Sequence, residues 1–104
     1  MIFIGKYDEL VPGRGYGSIK DHLSPTPYEG QNRVILYLKS GQEDLYSPVV
    51  QKDVFTGKVI SLGTTGRHDG TYTWWDVLAY YVEVYNLRLP KDFEDHILSR
   101  SPVL

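Results

Sequence analysis

His22, His68 and His96 are the chain's only imidazoles, and they are the first residues to ask for chemistry. They lie far apart in sequence and none belongs to a helical two-histidine motif, so a metal centre has little support. Asp69 follows His68, and a carboxylate beside a histidine can orient its ring. Adjacent loop residues seldom face each other, so a small enzyme using the His68-Asp69 loop is only an alternative reading. Serine and threonine are present as potential nucleophiles, but without a nucleophile-elbow pattern or an evident base. A glycosidase pair picked from thirteen acidic residues would be arbitrary. Gly13-Arg14-Gly15-Tyr16-Gly17 fits neither a dinucleotide fingerprint inside a βαβ unit nor a Walker loop, and is expected to be a structural loop. With no cysteine there is no thiol nucleophile, disulfide framework or Cys-based zinc site. No cofactor is expected.

Aromatic residues are the unusual feature, with nine Tyr, two Trp and three Phe. Trp74, Trp75, Tyr81 and Tyr85 are expected to pack the last helices onto the sheet. Any tyrosine left exposed would suit an interface, since tyrosine offers a large, stiff surface with a polar tip. Base stacking would also use aromatics, but it normally comes with a basic groove, and here the basic residues are scattered and outnumbered. Within Trp74–Tyr85 the only charges are Asp76 and Glu83, with Tyr80 between them on the same side of a helix. That stripe is either the solvated face of a buried helix or a partner-facing strip. On the second reading Asp69, Asp76, Tyr80 and Glu83 are the candidate partner-binding residues, and their negative charge would speed encounter with a basic partner.

The elements that would position these residues follow from local signals. Met1–Gly5 reads as a short strand. Ser18 to Leu23 reads as one or two helical turns capped by Ser18, with Asp21 as capping partner, stopped by Pro25 and Pro27. Arg33–Lys39 is apolar on both alternating faces and reads as an interior strand. Further strands are expected at Glu43–Ser47, at Val49-Val50 with Asp53-Val54-Phe55, and at Lys58–Leu62. Thr56-Gly57 supplies a hairpin turn. Gly63 to Gly70 reads as a flexible segment leading to a helix over Trp74–Tyr85, capped by Thr73 and with Asp76 in its first turn. Asn86 ends that helix in a left-handed cap, and Pro90 opens a last helix with Phe93, Ile97 and His96 inward. The result is an α+β fold, a mostly antiparallel sheet with two C-terminal helices packed on it.

Size and charge bound the rest. At 104 residues and 11.9 kDa the chain reads as one domain, 1–104. A net charge of -2 and a pI near 5.8 argue against direct binding to nucleic acid through phosphate neutralisation. No apolar run approaches the ~20 residues needed to span a bilayer. Gly5-Lys6-Tyr7-Asp8-Glu9 ends the apolar start at once, so no signal-peptide core is expected. The lack of cysteine fits a reducing, cytoplasmic setting.

Two stretches carry a family resemblance. Asp69-Gly70-Thr71-Tyr72-Thr73-Trp74, continued by Leu78 to Pro90 and then Phe93, is one. Asp53-Val54-Phe55-Thr56-Gly57 is the other. Together, over the second half of the chain, they resemble immunity proteins of bacterial polymorphic-toxin and contact-dependent growth-inhibition systems. The resemblance implies a cytoplasmic antitoxin that binds the C-terminal domain of one cognate toxin, often a nuclease or tRNase, and blocks its active site without turnover. Nuclease immunity proteins are frequently strongly acidic, whereas this chain is only mildly so. A general protein-interaction module or accessory subunit is the alternative.

Overall fold

The computed structural model describes residues 1–10 and 15–100. Its regular elements, in order, are β1 (Ile2–Phe3), a 3-10 turn (Ile19–His22), α1 (Gln31–Ser40), β2 (Gln42–Ser47), β3 (Gln51–Lys52), β4 (Val59–Ser61), β5 (Thr64–His68), β6 (Tyr72–Trp75), α2 (Leu78–Tyr85) and α3 (Lys91–Arg100). The fold is α+β. A four-stranded sheet runs β1-β6-β5-β2, with β1 parallel to β6 and the other pairs antiparallel; β3 and β4 form a second, two-stranded sheet.

One long hairpin dominates the middle of the chain. Gln42 pairs with His68, Ser47 with Thr64, Gln51 with Ser61 and Lys52 with Val59, so 42–52 and 59–68 are two arms of a single bent ribbon. The bend falls where Pro48 cannot donate to a ladder. The expected turn at Thr56-Gly57 is its apex: Gly57 takes φ +77°, and Asp53 and Lys58 close the loop through a 2.8 Å backbone bond. Asp53-Val54-Phe55 belongs to that turn and is not a strand, because the Asp53 carboxylate accepts from the Phe55 and Thr56 amides and curls the chain.

Three other local readings are overturned. Arg33–Lys39 lies inside helix α1. Its apolar run spreads around the helix, with Val34 and Leu38 buried one turn apart and Leu36 exposed. Residues 64–68 of the supposed flexible segment form β5, an inner strand whose glycine lets its neighbours approach: Gly66 sits against Leu45 and the Trp75 ring. Trp74 and Trp75 end strand β6, and α2 begins only at Leu78. Thr73 is therefore no cap. Its hydroxyl donates to the Arg67 carbonyl, and the Val77 amide at the head of α2 donates instead to the Thr64 hydroxyl.

Other local readings hold. Ser18 caps the 3-10 turn, accepting from the Lys20 amide, though the acid that completes the cap is Glu9, which takes the Ile19 amide and the Ser18 hydroxyl, and not Asp21. Asn86 ends α2 at φ +57°, and Pro90 precedes α3. Phe93 and Ile97 are buried and His96 is half-buried.

The core lies where Trp74 meets α1 and α3. Its ring packs on Tyr37 and Phe93, and its indole N–H donates to the Leu38 carbonyl at 2.8 Å. Tyr81 and Val82 of α2 are also buried, while Trp75 and Tyr85 remain half-buried. Tyrosine hydroxyls tie distant segments to this core: Tyr7 to the Arg88 carbonyl and Tyr28 to the Leu87 carbonyl. Glu94 holds the entry of α3 by accepting from the Arg88 guanidinium and the Leu89 amide. Among the described residues no helix is long and apolar enough to cross a membrane.

Candidate functional site

Asp76, Tyr80 and Glu83 line one open hollow of about 510 Å³, together with Lys39 and Arg67. Asp76 sits in the link between β6 and α2, and the other two follow on α2 at helical spacing. Asp69 is elsewhere. It lies in the turn between β5 and β6, beside a second hollow of about 380 Å³ bordered by Tyr37, His68 and Arg100. The structure thus groups three of the four candidates and separates the fourth.

The grouped three are not equivalent. Asp76 is engaged internally: it accepts from the Thr64 hydroxyl and the Thr65 amide, and its second oxygen pairs with Arg67 at 3.1 Å. Arg67 in turn donates to the Gly41 carbonyl, so this pair stitches the β5 strand to the end of α1. Glu83 is 59% exposed and pairs loosely with Lys39 at 3.6 Å, a contact that solvent screens. Tyr80 is half-buried, and its hydroxyl is held by an acid that sequence reasoning did not connect with it, Asp53.

Asp53 is the anchor of this side. Buried at the hairpin apex, its carboxylate accepts 2.6 Å bonds from both Tyr80 and Tyr85, besides the two turn amides. Burial alone would raise its pKa, but the Tyr80, Tyr85, Phe55 and Thr56 donors outweigh that and hold it below the usual carboxylate value. The Asp53 bond, with some burial, lifts the Tyr85 hydroxyl to about 12. The Asx turn before Gly57 was a local clue to Asp53; its tyrosine partners lie too far along the chain to be inferred.

Asp69 forms the other cluster. Only 8% of its side chain is exposed, and it accepts from the Thr71 and Tyr72 amides, the Tyr37 hydroxyl and His96 Nε2 at 2.9 Å. Burial opposes its ionisation, yet the donors, Tyr37 foremost, bring it down to about 2. Burial and the Asp69 bond raise Tyr37 to about 12. The carboxylate therefore orients His96, not its neighbour His68, whose Nδ1 accepts from the Gly70 amide. His22 stacks on Tyr16 and bonds its carbonyl. Among the described residues no group of three or more His, Asp or Glu side chains is placed to hold a metal ion.

Part of the glycine run, Gly13-Arg14, lies outside the described residues. Gly15 and Gly17 take positive φ in a loop closed by Tyr16 N–H to the Lys6 carbonyl and Asp8 N–H to the Gly17 carbonyl.

The fold and its two tyrosine-bound carboxylates define a small α+β domain cross-braced by side-chain hydrogen bonds. Comparison with protein-family models, curated proteins and solved structures gives no match to this chain.

Proposed function

We propose that this chain is an immunity protein that neutralises a cognate toxin domain in the cytoplasm by stoichiometric binding, the toxin being a nuclease of a contact-dependent growth-inhibition system. The observation that carries the reading is the hollow shared by Asp76, Tyr80 and Glu83. Tyr80 is fixed by Asp53 and Asp76 by Arg67, so little side-chain entropy remains to be lost when a partner docks. Glu83 and the Tyr80 ring are the contact groups, and Asp76 keeps the surface in shape. A basic nuclease cleft would displace Lys39 from Glu83 and gain the carboxylate in place of a substrate phosphate. Asp69 serves the fold on this reading and stands apart from the docking surface. The resemblance of the Asp53 turn and of the segment from Asp69 to Phe93 to immunity proteins supplies the partner class.

The test is to look immediately upstream of this chain's coding sequence for a large secreted protein and to co-express the chain with that protein's C-terminal domain. Cells should survive with the wild type and die with Glu83→Lys, at equal soluble levels of both. Death with the wild type, or full protection by Glu83→Lys together with Tyr80→Ala, would overturn the proposal or its surface.

A further inference from the structure

The outer arm of the long hairpin, 42–52, has the same chemical order read from either end. Outward from Ser47 and Pro48 come Tyr46 and Val49, then Leu45 and Val50, all apolar. Asp44 and Gln51 follow, both polar, and then Glu43 and Lys52, of opposite charge. The apolar part faces solvent: Leu45, Tyr46 and Val49 are 65%, 64% and 63% exposed, and Val59 and Leu62 on the other arm are exposed beside them. Of the twelve large apolar residues exposed among those described, seven lie on this one hairpin: Leu45, Tyr46, Val49, Val50, Val54, Val59 and Leu62. Scattered single exposures are ordinary, but concentration on one element marks an interface.

The backbone of this arm is poorly suited to receive an added strand. Asp44 and Leu45 together oppose Gly66 at a bulge, Pro48 has no N–H, and both polar groups of Val49 are used locally. Its amide donates to Ser47 Oγ at 3.4 Å, and its carbonyl accepts from Gln51 Nε2 at 2.9 Å. What the arm offers a partner is side chains.

We infer that this arm is the interface of a homodimer, two hairpins packed antiparallel about a two-fold axis near Ser47 and Pro48. The axis brings the apolar stretch 45–50 of one copy onto that of the other and sets Glu43 near Lys52 of the second copy, each contact occurring twice, as an isologous contact requires. A partner of different sequence needs no such mirrored order, and opposite charges at the two ends complement each other only when the arms run antiparallel. Glu43 is free to turn outward because its own-chain ion pair with Arg67 is long, 3.9 Å, and its side chain is 73% exposed. The four apolar side chains Leu45, Tyr46, Val49 and Val50, with Val59 and Leu62 exposed beside them, come at roughly 100 Å² each toward the ~800 Å² per partner of a standard interface. The inference stands independently of the proposed function.

Sedimentation equilibrium on the full chain tests it. The wild type should weigh twice 11.9 kDa at micromolar concentration. Leu45→Asp should be monomeric with an unchanged circular-dichroism spectrum. Glu43→Lys and Lys52→Glu should each raise the dimer dissociation constant more than tenfold, and the double swap should restore it to within about threefold. A monomeric wild type, a dimer indifferent to Leu45→Asp, or a double swap no better than its parents would overturn the inference.

Discussion

Asp69 and His96 face each other at 2.9 Å although twenty-seven positions separate them, while His68, next to Asp69 in the chain, points its Nδ1 at the Gly70 amide. The β5–β6 turn aims the Asp69 carboxylate inward, where α3 brings His96 and α1 brings Tyr37. The carboxylate thus joins two helices to the sheet, and its ionisation is part of the fold's stability.

That stability has a pH signature. Asp69 titrates near 2 in the fold against an ordinary 3.8, so its contribution is complete above about pH 4 and is lost as pH falls toward 2. Asp53, also depressed, acts in the same direction. The thermal midpoint should drop steeply across this window. In Asp69→Asn it should start lower at neutral pH and fall less on acidification; a parallel pH curve would show that Asp69 is not the group responsible.

Replacing Asp53 by alanine should free the hairpin apex from α2. Four donors lose their acceptor at once, and a cost of about 2–4 kcal/mol is expected from buried hydrogen bonds left unmade. Amide exchange at Phe55 and Thr56 should rise more than at Trp74. Tyr85→Phe removes one donor and should lower the melting temperature by a smaller amount.

Asp76 and Glu83 should separate cleanly on mutation. Asp76→Lys sets a cation against Arg67 and strands the Thr65 amide, a loss of roughly 3 kcal/mol or more visible by denaturant unfolding. Glu83→Lys should leave the unfolding midpoint nearly unchanged and weaken toxin-domain binding more than tenfold by calorimetry.

Gly41 is a packing requirement. A Cβ there would lie 2.7 Å from the Trp74 ring and 3.1 Å from Arg67 Cβ, and the ring is locked by its bond to the Leu38 carbonyl. Gly41→Ala should cost about 1–3 kcal/mol through overpacking, whereas Gly57→Ala meets no neighbour and is strained only by its positive φ. Near-ultraviolet dichroism of Trp74 should register the first and not the second.

Sequence alone set those features whose cause is a residue's own backbone preference. Gly57 made the hairpin apex, Asn86 the left-handed end of α2 and Pro90 the start of α3, because φ is limited or freed at each residue without reference to its surroundings. The α+β class was legible because two helical patterns follow a strand-rich middle, although the apolar run Arg33–Lys39 lies in a helix and β5 in a glycine-rich stretch. Tertiary structure decided everything that depended on a distant partner. Val34 to Leu38 is apolar enough for either a strand or a helix, and it became α1 because Val34 and Leu38 bury one turn apart. Thr64–His68 looks like loop in isolation but is held as a strand between β2 and β6. The same holds for the acids: sequence put Asp53 in a strand before the Thr56-Gly57 turn, Asp69 in a glycine-rich loop and Asp76 in the first turn of a helix, and only the packed chain brings Tyr80, His96 and Arg67 to them. A hydrogen bond across nine to thirty-two residues depends on coordinates that local preferences do not specify.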